Sequence, residues 1–393
     1  MATLTPTQLL TELQALLKTP PTDLSPSLRT QLGVAAQAVA REMEKPEDVV
    51  ARILLSQPVE AVTIRIAIDL QLFSLLGDGE KTLEELVKGT KAEPELLVRI
   101  LRSLTASAAL QQTPQKTYKL HPSYTLFTNP HFATSLAHCA DFLTSSYNAL
   151  PAFLKSTAYH SPHDPTNTAV QAAFGAKGKD LIGILTEKPD AGMGFGTLMS
   201  TWGEGNSLVQ DLYPVGELGV GFESEGEGVM WVDVGGGYGQ KSVALKKAFP
   251  ELPGRFIVQD LGEPVGNAPV CEGIEFMEHD FFGEQGVRGA RAYYIRQCLH
   301  NWPAEKCLTI LTELRKAMKP GYSKLFVHEL IVPAVGASKW VVTQDFNMMT
   351  LCATMERTEE QWREMLEKAG LKVIKVCEAA DGVSEGVIVA EVL

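Results

Sequence analysis

From residue 229 onward, short apolar runs alternate with helical patterns, and this alternation limits the fold more than any other feature of the chain. The runs are VMWVDVG (229–235), RFIVQD (255–260), IEFMEHD (274–280), AYYIRQCL (292–299) and KLFVHEL (324–330). Helical patterns fill 239–249, 303–318 and 358–369. Strands that are apolar on both faces, with helices between them, imply a mostly parallel α/β sheet covered on both sides. The tail LKVIKVCEAADGVSEGVIVAEVL reads as two strands joined by a turn, hence an antiparallel hairpin at the sheet's edge.

Residues 5–125 read differently. Thr5-Pro6 and Ser25-Pro26 are helix starts. The apolar stretch 58–79 predicts a single buried helix, Thr82 and Glu85 stand in capping-box spacing, and 93–110 predicts an amphipathic helix. Residues 110–122 alternate like a small hairpin. Helix, turn, helix and hairpin outline a winged helix. Its second helix carries Arg99 and Arg102 but also Glu93 and Glu95, among Leu, Ile and Ala. A DNA-reading helix needs cations for phosphates and polar tips for bases, so packing or dimerisation is the expected role. Residues 130–215 continue as helices and loops. His160, His163 and Asp164 fall in a Pro-rich irregular segment with no fourth ligand nearby, which reads as a solvated loop. The Gly/Glu-rich stretch 216–228 reads as a linker.

The glycine turn after the first run, VDVGGGYG, places Gly235, Gly236 and Gly237 where a backbone can approach a ligand at a helix N-terminus. The next run ends in Asp260, followed by Leu261, an acid placed for ribose hydroxyls. The third run ends in Asp280, followed by Phe281 and Phe282: an acceptor and a ring for an adenine. Three neighbouring strand ends thus offer nucleoside-binding groups in the crevice where such sheets bind ligands. There is no Walker lysine and no second glycine turn for a pyrophosphate. S-adenosylmethionine (SAM) fits: ribose, adenine and an amino-acid tail near the glycines.

The fourth run ends in His300 and the fifth in Glu329, and Glu356 follows at the start of a helix. A histidine with carboxylates from separate loops has the makings of an oriented base near the ordinary imidazole pKa of about 6.5–7. Either acid could take one imidazole N–H and leave the other nitrogen free. His279 and His328 should point to the opposite strand faces and read as structural. Phe195 and Met199, one helical turn apart, read first as packing, and the adjacent Met348 and Met349 cannot both face one way.

The net charge of −12 argues against a nucleic-acid or anionic-membrane partner. Six scattered cysteines without a C-x-x-C pair suggest a reduced, cytoplasmic compartment and no zinc site. The first twenty residues lack a signal-peptide pattern, and no run is apolar for long enough to span a bilayer.

VDVGGGYG, FIVQDL, HDFF, YYIRQCLHNWP, FVHELIVP and MERTEEQW, in this order and spacing, resemble the class I SAM-dependent O-methyltransferases of plant and fungal secondary metabolism. The resemblance implies a seven-stranded Rossmann-like catalytic domain over 216–393, a helical connector over 126–215 that lines the acceptor pocket, and a winged-helix domain over 1–125 that interlocks two subunits into a homodimer. It assigns Gly235–Gly239, Asp260, Asp280 and Phe281 to SAM, with Arg296 nearby and S-adenosylhomocysteine as product. It makes His300 the general base flanked by Glu329 and Glu356, with no metal. Phe195, Met199, Trp202, Met348 and Met349 fall in segments that line the site of an aromatic or polyketide acceptor. Many members read HDWP where this chain has HNWP, so Asn301 loses a charge beside the base. The same fold implies an alternative, SAM-bound pericyclase or decarboxylase chemistry, whose users tend to lose the base histidine.

Overall fold

The computed structural model describes residues 5–16, 24–204, 208–223, 228–266, 270–379 and 385–393, apart from the side chains of 26–27, 200–204 and 263–264. The expected helix starts stand: Ser25 accepts the Leu28 amide at the head of helix Pro26–Glu42. The single helix expected over 58–79 is two, Gln57–Asp69 and Leu72–Leu76. Gln71 takes a left-handed φ of 52° between them. The bend turns Leu72, Phe73 and Leu76 into a core that includes Leu86, Leu97, Leu101 and Leu104.

Thr82 and Glu85 close the expected capping box. The hairpin is present as β2 (Leu110–Gln112) and β3 (Thr117–Leu120), but it belongs to a three-stranded sheet. The sequence reading missed β1 (Glu80–Thr82), which pairs antiparallel with β3. Helix Pro94–Ala106 buries Leu97, Ile100, Leu101 and Leu104 and leaves Arg99 and Arg102 exposed.

The main sheet contains β4 (Val229–Val234), β5 (Arg255–Asp260), β6 (Glu275–Glu278), β7 (Ala292–Arg296) and β8 (Lys324–Glu329), all parallel. Beyond β8 lies a short parallel ladder of β9 (Ile331–Val332) and β10 (Arg357–Thr358). The tail forms the expected hairpin, β11 (Leu371–Cys377) and β12 (Gly386–Val392), and β12 pairs antiparallel with β8. The seven-stranded order is β11-β12-β8-β7-β4-β5-β6.

Period-two alternation assigns each strand's side chains to two buried layers. Val232, Val234, Tyr293, Ile295, Leu325 and Val327 pack under helices Ala304–Ala317 and Glu359–Lys368, against Ile310, Leu311 and Trp362. Trp231, Tyr294, Phe326, Val387 and Val389 face the other way, against Leu245, Val209, Tyr213, Val215 and Leu218. The expected linker 216–228 is therefore packed over its first part. Leu218 is buried, and Arg291 donates to the carbonyls of Leu218 and Val220, each at 3.0 Å. Residues 224–227 of that stretch lie outside the described residues.

Phe326 is fully buried between Trp231 and Tyr213. Phe326→Ala is expected to lower stability by about 3–5 kcal/mol, read as a lower urea midpoint with an unchanged slope. A midpoint equal to that of the parent would mean this face is not a packed layer.

Candidate active site

The carboxyl ends of the parallel strands converge on one edge. At β4, the loop glycines Gly235, Gly237 and Gly239 have φ of 73°, 56° and 75°, a region that favours residues without a Cβ. The amides of Gly235 and Gly236 donate to the Gln259 carbonyl at 2.8 and 3.0 Å. Asp260, last in β5, accepts the Gly237 amide on Oδ2 at 2.7 Å and the Leu261 amide on Oδ1 at 2.8 Å. The acid thus ties the glycine loop to the neighbouring strand, with lone pairs left for a hydroxylated ligand. A Cβ on Gly237 would meet nothing within 4 Å, so the loop borders open space. A glycine cradle with room above it and a half-buried acid at its rim fit the methionine and ribose of SAM.

Asp233 went unmarked in the sequence, although an acid inside a continuous apolar run is itself a signal. It is buried beneath the glycine loop, accepts a hydrogen bond from Ser242 Oγ at 2.6 Å, and is pushed up to about 6 by burial. β6 stops at Glu278, so Asp280 lies two residues past the strand rather than at its end. Asp280 accepts the Phe282 amide at 3.0 Å, and Phe281 lies against the Gly235 loop and the edge of Trp302.

Arg296, last in β7, forms a two-point ion pair with Glu385, both contacts 2.6 Å. His328 is buried, with Nδ1 2.8 Å from the Tyr294 hydroxyl and Nε2 3.4 Å from Glu385. Burial holds it well below the ordinary imidazole value, which suits the structural role expected of it.

His300 is not on the fourth strand. β7 stops at Arg296, Gln297 takes a left-handed φ of 51°, and His300 rides on the one-turn 3-10 helix Leu299–Asn301. Glu329, fully buried at the end of β8, explains the departure. Its Oε1 accepts the amides of Cys298 at 3.2 Å and Leu299 at 2.9 Å, replacing the ladder bonds a strand would make. Its Oε2 faces His300 Nδ1 at 3.9 Å.

Glu356 takes the imidazole itself, with Oε1 2.8 Å from His300 Nδ1. Its own amide donates to Asp345 at 2.9 Å. Of the two acids the sequence left open, Glu356 is the hydrogen-bond partner and Glu329 the charge behind it. Burial works to lower the His300 pKa, but Glu329 and Glu356 outweigh it and raise it to about 9, above the 6.5–7 expected. Burial pushes Glu329 up to about 7, against the pull of His300.

The His300, Glu329 and Glu356 ligand atoms lie within 4.8 Å of one another, the grouping of metal-ligand type among the described residues. Two ligands on one zinc, at bonds of about 2.0–2.1 Å and a tetrahedral angle, sit roughly 3.3 Å apart. The 2.8 Å between His300 and Glu356 is instead the length of a charge-assisted hydrogen bond. His160 bonds the Thr157 carbonyl and Asp164 caps Thr166, both exposed, as expected of a solvated loop.

Asn301 is exposed, and its Nδ2 donates to the Gln297 carbonyl at 3.2 Å, within the turn. Phe195 is half-buried and packs with Phe142, Ile184 and Leu351, whereas Met199 on the same helix is exposed. Met348 and Met349 lie on helix Lys339–Cys352, which the sequence reading did not mark. Met348 is buried and Met349 is half-buried against Leu150 and Phe153. Helix Lys339–Cys352 also carries Asn347, which accepts a hydrogen bond from the Tyr147 hydroxyl at 3.0 Å, a polar pair the sequence did not reveal. The Trp202 side chain lies outside the described residues.

Comparison with known proteins gives this geometry a context. The family model for an O-methyltransferase domain matches residues 227–372. The demethylsterigmatocystin 6-O-methyltransferase of Aspergillus parasiticus is 34% identical over 345 residues, covering 87% of this chain and 88% of the relative. A solved structure described as a pericyclic reaction enzyme superposes with a TM-score of 0.88 at 26% identity, over 98% of this chain and 100% of that one. The structure of LepI in complex with SAM superposes with a TM-score of 0.87, also at 26% identity, over 99% and 100%.

A Cβ on Gly236 would lie 2.6 Å from the Asp233 carboxyl carbon. Gly236→Ala should disturb the loop by about 1–3 kcal/mol, which, if borne by the SAM-bound state, is a loss of SAM affinity of roughly 5- to 150-fold by calorimetry. Unaltered affinity would place the cofactor away from this loop.

Proposed function

The chain belongs to the O-methyltransferase family and uses SAM; from that premise we propose that it methylates a phenolic or polyketide-type hydroxyl of a small secondary metabolite, with His300 as general base. The observation that carries this reading is the 2.8 Å contact between His300 Nδ1 and Glu356 in a buried site backed by Glu329. In the neutral ring, with Nδ1–H donated to Glu356, Nε2 is left to receive the hydroxyl proton. When bound, SAM would supply the sulfonium methyl: the acceptor oxygen would bond to that carbon as the carbon–sulfur bond breaks, leaving S-adenosylhomocysteine. Charge is neutralised in that attack, so the exclusion of water from the buried His300 site favours it.

Asp260, the glycine loop, Asp280 and Phe281 would hold the cofactor, and Arg296 braces the same edge through Glu385. The helices carrying Phe195, Met199 and Trp202, and Met348 and Met349, would line the acceptor site, with Asn301 at its rim. Ile53, Leu54, Leu55, Val59 and Val62 are exposed apolar side chains on consecutive helical turns, which supports a homodimer through the N-terminal domain. All six cysteines are free thiols, which supports a cytoplasmic location. Among the described residues, no helix is long and apolar enough to cross a membrane.

A second reading follows from the likeness to the pericyclic reaction enzyme: SAM bound but its methyl not transferred. The intact His300, Glu329 and Glu356 set favours transfer. Incubation with SAM and a panel of phenols, followed by mass spectrometry, separates the two. Methylated product with equimolar S-adenosylhomocysteine is expected, and conversion without S-adenosylhomocysteine would support the second reading.

The raised pKa of His300 sets a pH dependence. Below about 9 the ring is protonated, so the base form grows as pH rises towards that value. kcat/KM should rise with pH through neutrality and level off near 9. In Glu356→Gln a group that raises the pKa is lost, so the limb should move to lower pH while kcat falls. A limb that stays in place would belong to the acceptor, not to His300.

A further inference from the structure

The three-residue turn that carries His300 is gripped from two sides. The amides at its entry, those of Cys298 and Leu299, go to Glu329. Its carbonyls go to Arg357. That side chain is 3% exposed, and its guanidinium donates to the Leu299 carbonyl at 3.3 Å and the Trp302 carbonyl at 3.0 Å. It also lies 3.7 Å from Cys307 Sγ and 5.1 Å from the centre of the fully buried Trp362 ring. These two carbonyls bracket His300 and Asn301 in sequence.

Burying a guanidinium is costly unless its donors are satisfied. Here they are spent on peptide carbonyls rather than on a matching carboxylate, at the one turn where the proposed base sits. A planar fork holds two carbonyls in a fixed geometry, whereas an ammonium offers rotatable donors on a flexible stem. The backbone strengthens the arrangement. Arg357 opposes Ile331 in the β9–β10 ladder. That ladder ties the segment of Glu356 to the segment of Glu329. Consecutive residues therefore do complementary work: Glu356 orients the imidazole and Arg357 fixes the backbone beneath it.

We propose that Arg357 is a positioning residue for methyl transfer, setting where His300 presents its free nitrogen by holding the carbonyl side of the turn. The proposal rests on His300 being the base, and the test separates the two. Kinetics would be measured for the parent, Arg357→Met, Arg357→Lys, His300→Ala and the double variant His300→Ala/Arg357→Met. Misplacing a reacting group by about 1 Å can cost on the order of 10²-fold. Arg357→Met is accordingly expected to lower kcat by roughly 10–100-fold, with KM for SAM within about twofold of the parent. Arg357→Lys, which keeps the cation but loses the planar fork, should fall between.

In the His300→Ala background the Arg357→Met change should cost less than about twofold, because there is no base left to position. An equal loss in both backgrounds would make Arg357 a scaffold residue and overturn the proposal, as would unchanged kcat in Arg357→Met. Undiminished turnover of His300→Ala would instead sink the base assignment. Should Arg357→Met fail to fold, the same comparison is made with Arg357→Lys, whose unchanged kcat would equally overturn the proposal.

Discussion

Glu329 is the charge on which the rest of the site depends. It is fully buried, and burial alone would make it hold its proton. Three things work against that cost: two backbone amides on one oxygen, the imidazole facing the other, and the cation of Arg357 nearby. Removing any of them leaves a buried carboxylate with less compensation, a loss larger than the net worth of an exposed pair. The turn, the base and the second acid are therefore not separate features placed near one another. They form one electrostatic unit in which the His300 and Arg357 cations offset the burial of Glu329 and its repulsion by Glu356.

The fold delivers that unit through strand order. β4 and β5 end in the glycine loop and Asp260, joined by the Gly237 amide, while β7 and β8 end in the His300 turn and Glu329. Since β4 lies next to β7 in the sheet, the glycine-loop edge and the His300–Glu329 edge meet without a long loop between them. The two layers of aromatic and aliphatic side chains fix how far apart those ends can be. Tyr294 shows the coupling: its ring packs on Trp231, and its hydroxyl meets His328, which in turn approaches the Glu385 that pairs with Arg296.

Much of this architecture was legible in the sequence because it depends on local pattern. Strands buried on both faces leave continuous apolar runs, and the runs 229–235, 255–260 and 324–330 map onto β4, β5 and β8. The capping box at Thr82 and the hairpin after Leu110 are equally local. What escaped is what distant partners decide. His300 reads as a strand end until Glu329, about 30 residues on, takes the amides that the strand would have used. Glu385 lies 89 residues from Arg296, with no local sign that the two would meet. β1 is a charged tripeptide that becomes a strand only because β3 offers an edge. Gln71 breaks an apolar stretch whose composition favours one helix. In each case the sequence specifies the residue type, and tertiary contact specifies its state.

The raised basicity of His300 bears on what the two acids achieve. For the phenolic acceptor and the His300 base proposed above, the state that reacts is an imidazolium beside a phenolate, whichever partner ionises first. For an ordinary histidine near 6.5, neutral at pH 7, reaching that state means moving a proton from a phenol of about 10, a cost of about 5 kcal/mol. With His300 at about 9, the ring is already protonated at pH 7. The cost is then that of ionising the phenol against the solvent, about 4 kcal/mol. The two routes differ by less than 1 kcal/mol, so stronger basicity contributes little to the transfer step at neutral pH. What Glu329 and Glu356 provide is a cation held in a buried site, at one orientation, where an oxyanion must develop. In the proposed mechanism the catalytic advantage therefore lies in geometry and preorganised charge rather than in proton affinity, the property that the proposed grip of Arg357 on the His300 turn would serve.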